Sequence, residues 1–374
     1  MPAARTLPSI EELSASGEAQ AALHARAREA TRERFGDAVF VRGVVEVSNY
    51  CREDCAYCGM RRSNRRLERF RADRQQLETW LLRQRPAMVT DLNFQAGEDP
   101  RVVREVVVPL LETLRRETDL GLSVGLGTLD AALYRELRQA GAAVYILKFE
   151  TADPGHYRAL RAPGTLPERL AHIRLLADQG WRVSSGFIAG LPDQPPERLL
   201  RNFELADSLP LCGCSVSPFV PGEDTPLRHM PAGDVDLTLN CIAALRLLRP
   251  DWVIPAVSAL NLHRGANGGE GYRRALRAGA NLVTLNLTPP RWREEYPIYT
   301  RHRYIVSANY LREALAAEGL QPAARGLVAY LEAAHAAPAA RVVQPARLSR
   351  TAGQCPIPQP GSRWPPGAGP WAAG

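Results

Sequence analysis

An eight-stranded parallel α/β barrel is the fold this chain predicts, and three observations predict it. Eight short apolar runs alternate with longer amphipathic segments over about 240 residues, the rhythm of a (β/α)8 TIM-type barrel. Several amphipathic segments end on a glycine just before the next apolar run, as helix-to-strand connections do. A polar loop crowded with cysteine follows the first run, and in a barrel that position is the C-terminal face, where active sites sit. A doubly wound open sheet, or a six-stranded partial barrel without the last two runs, are the alternative readings of the same pattern.

Residues 1–39 read as a helical extension. The stretch "IEELSASGEAQAALHARAREATRERFG" is rich in Ala, Glu and Arg and stops on Gly36. The barrel is expected over 40–310, with strands at 44–48, 88–94, 121–126, 143–149, 182–188, 213–217, 252–256 and 281–285. Between them lie helical patterns such as "RADRQQLETWLLRQ", "DAALYRELRQAG" and "LPERLAHIRLLADQG". A C-terminal helix is expected over 311–336. From 337 to 374, Pro, Gly and Ala crowd a segment without periodicity, which reads as a disordered tail with Cys355 as a bystander.

At 374 residues and 45% apolar, the chain is too long for a disulfide-stapled module and can bury a sizeable core. Its longest apolar runs, such as "VVVPLL", fall far short of the ~18 residues that span a bilayer. The first twenty residues lack the apolar stretch of a secretory signal. These features predict a soluble cytoplasmic protein with no membrane contact. Cysteines at 51, 55, 58, 212, 214, 241 and 355 are odd in number and unevenly spaced, which favours reduced thiols and metal ligation over disulfides. The formal charge is +7, and Lys148 is the only lysine among 47 basic residues. The arginines are scattered and interleaved with glutamate, as a compositional bias would leave them, so no nucleic-acid partner is expected.

The stretch "NYCREDCAYCGMRRSN" at 49–64 sets Cys51, Cys55 and Cys58 in a C-x3-C-x2-C pattern. Three thiolates from one loop can hold three corners of a cubane 4Fe–4S cluster. Such clusters normally take four cysteines, so the missing fourth leaves one iron without a protein ligand. Structural zinc wants four closed ligands, and only His24 lies within the 30 residues before Cys51. A metal carrier, of iron–sulfur or zinc, is the non-enzyme alternative.

The C-x3-C-x2-C pattern, with aromatic Tyr57 before its last cysteine, resembles the radical S-adenosylmethionine (SAM) superfamily. The continuation "CGMRRSNRRLERFR" is similar to the biotin-synthase-like group, and within it to the HydE-type FeFe-hydrogenase maturases and the methylornithine synthases. The resemblance runs from about residue 40 to 305. It implies that the open iron is chelated by the amino and carboxylate groups of SAM. An electron from the cluster then breaks the S–C5′ bond, giving methionine and a 5′-deoxyadenosyl radical that acts on a small molecule in the barrel. It also implies an external electron donor such as flavodoxin or ferredoxin.

Further motifs carry the resemblance. "NFQAGEDP" is similar to the family's Q-S-G-E-D-P, with Ala96 in place of serine. There Gly97 permits close backbone approach, and Gln95 or Glu98 can receive the ammonium group of SAM. In "ILKFETAD", Glu150 matches an acid that contacts SAM and Lys148 takes a basic position beside it. These two residues are one position apart and point to one side of their strand. Arg169 matches an arginine that binds the SAM carboxylate, which its guanidinium fork suits. "SSGFIAGLPDQ" gives Ile188 as an apolar wall for adenine, and "VSPFVPGEDTPL" gives a stiff proline-rich wall. Near the end, the group places its substrate against Asn286, Thr288, Trp292 and Tyr296, so Thr288 and Tyr296 are the candidate catalytic residues. Thr284-Leu285 replaces the maturase's methionine-proline, and the second C-terminal cysteine set is absent. Cys212 and Cys214 could carry a second cluster or be buried strand thiols. No cysteine falls on strands two to five, which argues against sulfur insertion of the biotin-synthase kind.

Overall fold

A computed structural model describes residues 6–261, 270–299 and 304–336. The tail from 337 and Cys355 lie outside the described residues.

All eight expected strands form or contribute pairing. They are β1 (Ala38–Ser48), β2 (Asp91–Ala96), β3 (Gly121–Gly125), β4 (Val144–Ile146), β5 (Arg182–Ala189), β6 (Leu211–Pro218) and β7 (Leu282–Asn286), in the parallel order β6-β5-β4-β3-β2-β1-β7. The eighth, expected at 252–256, is reduced to single bridges. Val253 pairs with Gly213 of β6 and Pro255 pairs with Leu282 of β7, both parallel. These bridges join the two edges of the sheet, so the ring closes as a (β/α)8 barrel rather than an open sheet.

The strands alternate with period two, but not in the usual sense of a filled barrel. On β1, Val41, Val45 and Val47 pack outward against the helices while Arg42, Val44 and Glu46 face the lumen. On β2, Leu92 and Phe94 face outward while Asn93 and Gln95 face inward. On β6, Cys214 and Val216 face outward while Gly213, Ser215 and Ser217 face inward. Polar and small inner residues leave the lumen open as a cavity of about 410 Å³, where branched apolar ones would fill it.

The N-terminal extension is two helices, α1 (Ile10–Leu13) and α2 (Gly17–Phe35). Ser9 and Glu12 form a capping box that starts α1, and Gly36, at φ 62°, ends α2 as expected. Asn240, on the helix Val235–Leu248, donates to Leu13 O and Ala15 O, fixing the extension to the barrel. The single C-terminal helix expected over 311–336 is corrected to two, Ala308–Ala317 and Leu327–Ala336. Gly319 at φ 66° and Pro322 cannot continue a helix, and a two-residue strand, β8 (Gln321–Pro322), pairs with the start of β1 between them. The last helix is capped from the barrel itself: Leu327 and Val328 donate their N–H groups to the Asp91 carboxylate at 2.7 and 2.9 Å. Leu327 and Leu331 then close the lower end of the lumen.

Candidate active site

The cysteine loop has little regular structure, and arginines hold it in shape. The half-buried guanidinium of Arg69 donates to four backbone carbonyls, those of Asn49, Met60, Arg61 and Asn64. Arg61 grips Asp54 at 2.7 Å across the cysteines, and Arg71 ties the loop's end to Asp99 at 2.7 Å. The Asn49 side chain bridges Phe70 N–H and the carbonyls of Glu68 and Glu295. Gly97 is required at the loop's base: a Cβ there would lie 2.2 Å from Tyr50 O and 2.7 Å from Cys51 Cβ.

Cys51, Cys55 and Cys58 all line the upper end of the lumen. Burial pushes all three thiols up, Cys58 to about 12, and the neighbouring sulfurs add to the rise at Cys55. Against this, the N–H of Glu98 donates to Cys51 Sγ at 3.3 Å. Thiols held neutral by burial are poor nucleophiles and become thiolates when a metal replaces their protons. Among the described residues, no three His, Cys, Asp or Glu side chains are grouped to hold a single metal ion. Three soft sulfurs open to one cavity fit an iron–sulfur cluster as the group they carry.

Glu150 sits just below, on a backbone with φ 62°. A left-handed glutamate costs about 1–3 kcal/mol and persists where surroundings impose it. Here the N–H groups of Glu150 and Phe149 both donate to Gly186 O, and Ile188 N–H donates to Glu150 O, pinning the residue to β5. The carboxylate is thereby directed into the lumen. Lys148 Nζ lies 3.4 Å from Glu150 Oε2, an ion-pair distance without hydrogen-bond geometry, so this buried oxygen keeps its accepting capacity. Burial works against the Lys148 ammonium, but Glu150 and Tyr299 outweigh it and hold its pKa above the ordinary value.

Arg169 is buried on the helix Leu166–Asp178, where Pro167 and a Thr165–Glu168 capping box set the helix start. Its Nε donates to Lys148 O at 3.0 Å and its Nη1 to Thr128 Oγ1 and to Glu98 Oε1, the latter at 3.2 Å. Glu98 also accepts from Thr128 N–H at 2.7 Å and from Arg52 at 3.2 Å. Its carboxylate is thus fully engaged with the protein, which makes it a holder of Arg169 rather than an open acceptor. Gln95 reaches Glu46 Oε1 at 3.5 Å and lines the lumen. Tyr57 and Ile188 pack with Leu160, Leu191 and Phe219 as one apolar wall.

The sequence expectations for the substrate end divide. Tyr296 is buried against Met60 and Leu67 and lines the cavity, as does Asn286. Thr288 is corrected: its Oγ1 accepts from Glu46 N–H at 2.9 Å, so it secures β1 and lies off the cavity wall. Trp292 likewise stacks on Phe70 outside the lumen, 6.3 Å between ring centres. Sequence reasoning missed Tyr299, which faces Lys148, Glu150 and Ser217; the spacing Tyr296-x-x-Tyr299 in a short loop was the available signal. It also missed the lower lumen polar set, Arg42, Glu46 and Asn93. Cys214 lies in the outer core and Cys212 at the lumen's apolar lower end, so the two do not face one site.

Residues 45–206 match the radical SAM superfamily model. The chain is 33% identical over 281 residues to the FeFe-hydrogenase maturase subunit HydE of Thermotoga maritima, covering 74% of this chain and 78% of that one. It is 29% identical over 260 residues to 3-methylornithine synthase of Methanosarcina acetivorans, covering 69% and 72%. Among solved structures, methylornithine synthase superposes with a TM-score of 0.74 at 26% identity, over 88% of this chain and 97% of that one. The maturase HydG of Carboxydothermus hydrogenoformans shares the fold, with a TM-score of 0.72 at 19% identity over 86% and 77%. The chain belongs to the radical SAM superfamily. It is a HydE-like enzyme whose cofactors are a 4Fe–4S cluster and SAM, which acts on a small molecule with an external reductant.

Proposed function

We propose that Cys51, Cys55 and Cys58 ligate the cluster and leave one iron to the amino and carboxylate groups of SAM. When bound and reduced, the cluster supplies the electron that breaks the S–C5′ bond of SAM, giving methionine and a 5′-deoxyadenosyl radical within the barrel. The chain's own residues position and enclose. Arg169, held in orientation by Glu98 and Lys148 O, offers its remaining guanidinium edge to a carboxylate. Glu150 accepts from the ammonium or ribose of SAM, and Gln95 supports it. Tyr57 and Ile188 wall the adenine. Below, Lys148, Tyr299, Asn286 and Tyr296 surround the substrate. The observation that carries this reading is that the three thiols, Glu150 and Arg169 open into one cavity, with a polar lumen directly beneath.

The first reading of the reaction is maturase-like, on a small iron complex. A second, an amino-acid rearrangement of the methylornithine synthase type, is favoured by the TM-score of 0.74 and by Thr284, which lines the lumen where the maturases carry methionine. A low-potential carrier such as flavodoxin or ferredoxin is the reductant this chemistry requires. Free thiols at Cys51, Cys55, Cys58, Cys212, Cys214 and Cys241 suit a reducing cytoplasmic setting.

The test is anaerobic reconstitution with iron and sulfide, followed by dithionite and SAM. Slow formation of 5′-deoxyadenosine is expected without substrate, and faster formation with the correct one. Cys55→Ala is expected to lose both iron and nucleoside. Wild-type nucleoside yield from that variant would overturn the ligand assignment.

A further inference from the structure

The five arginines between Cys58 and Phe70 fall into two sets. Arg61 and Arg69 turn inward and hold the loop, as described. Arg62, Arg65 and Arg66 turn outward, and the Arg66 side chain is 82% exposed. Among the described residues, no carboxylate pairs with Arg62 or Arg65. Two neighbouring segments extend the same surface. Ala56 N–H donates to Leu160 O at 2.8 Å, which brings the exposed Arg158 and Arg161 alongside. Leu227 N–H donates to Ala56 O at 3.4 Å, which brings exposed Arg228. The nearby acids Asp54 and Asp224 are already paired with Arg61 and Arg66, leaving Glu68 and Glu223 as the exposed acids of these segments. Positive charge therefore predominates on the surface directly over the cysteines.

Such a concentration has no structural use in the fold, because like charges on one loop repel and the two free arginines tie nothing together. It does have a use in delivering an electron. Arg62 is four residues from Cys58, so its Cα lies within about 15 Å of that of Cys58 by chain geometry alone. We propose that this face docks an acidic one-electron carrier protein, which seats its redox group over the cysteine loop. The proposal rests on the cluster reading above and names the partner of that site. A protein partner suits the surface better than a nucleic acid. Single-stranded binders offer bare aromatic faces for bases, whereas here the one exposed ring among the described residues, Tyr50, is covered by the Arg71 guanidinium 3.9 Å from its centre.

The experiment uses the full-length reconstituted protein and follows cluster reduction by stopped flow with two reductants. One is flavodoxin hydroquinone, a small acidic protein; the other is reduced methyl viologen, a small cation that needs no docking face. With flavodoxin, the rate is expected to fall steeply as salt rises. The double variant Arg62→Glu/Arg65→Glu is expected to slow it about tenfold or more at low salt and to converge on wild type at high salt. With viologen, the variant is expected to match or slightly exceed wild type, which also shows that its cluster is intact. Equal flavodoxin rates in the two proteins, or rates indifferent to salt, would overturn the proposal. If a labelled RNA duplex binds wild type and not the variant while flavodoxin rates agree, the face is a nucleic-acid surface instead. If viologen reduces no cluster in wild type, the cluster reading fails first and this proposal falls with it.

Discussion

The backbone N–H of Glu98 donates to the sulfur of Cys51 at 3.3 Å. The carboxylate of the same residue holds Arg169 at 3.2 Å. One residue on the β2 loop thus contacts both the cysteine loop and the arginine assigned to SAM. Its carboxylate is kept in place by Gly127, at φ 73°, where a Cβ would lie 2.0 Å from Glu98 Cγ.

Glu98→Gln keeps the backbone contact to Cys51 and removes the charge that orients Arg169. Iron content is expected to stay near wild type, while SAM affinity falls about tenfold, the scale of one charged hydrogen bond. Isothermal titration of the reconstituted protein checks this. Unchanged affinity would show that Arg169 needs no such support.

Glu150→Ala is expected to weaken SAM binding by tenfold or more with normal iron, because it deletes the buried acceptor oxygen that receives no hydrogen bond from the protein. It also leaves the Lys148 ammonium buried without its partner, so a loss of about 1–3 kcal/mol in stability is expected. Replacing both members, Lys148→Met with Glu150→Ala, should recover much of that stability without recovering SAM binding. Thermal melts set beside the titrations separate the two effects.

Gly97→Ala puts a methyl into Tyr50 O and Cys51 Cβ. The loop must shift, at about 1–3 kcal/mol, while the barrel itself is expected to remain folded. The expected outcome is less than half the wild-type iron after reconstitution, with unchanged far-ultraviolet circular dichroism. Full iron loading would mean that the loop has slack absent from this geometry.

Glu318 offers a pH test remote from the site. Burial alone would raise its carboxyl, but hydrogen bonds and charge from Arg277 and Arg273, at 2.8 and 2.9 Å, outweigh it and hold the pKa below the ordinary value. A depressed carboxyl stabilises the fold fully above its unfolded value of about 4.3 and loses that contribution as pH falls through the folded value. Glu318→Gln is therefore expected to cost about 1–3 kcal/mol at pH 7, with the gap to wild type closing in acid. Urea titrations across pH measure it; a gap independent of pH would mean that packing, not charge, is lost.

The strand positions were legible because outward residues such as Val41, Val45 and Phe94 must be apolar to meet the helices, and apolar runs leave a mark in any sequence. The cysteine loop was legible because three thiols within eight positions have few chemical explanations. Thr288 and Trp292 were placed in the lumen because they follow its last strand, yet direction decides function: Thr288 turns to Glu46 N–H and Trp292 to Phe70. Tyr299, three residues past Tyr296, reaches the lumen through a loop whose path no periodicity encodes.

By itself, then, the order of residues determined the alternation of elements, the crowding of Cys51, Cys55 and Cys58 into one loop, and the placing of Lys148 and Glu150 on one side of a strand, because each is written in local spacing. The tertiary structure decided the rest. It closed the ring through Val253 and Pro255, kept the lumen hollow, set the Glu98 carboxylate against Arg169, and gathered arginines from three separate segments over one loop. Those outcomes depend on which distant backbone groups meet in space, and a one-dimensional pattern carries no record of that.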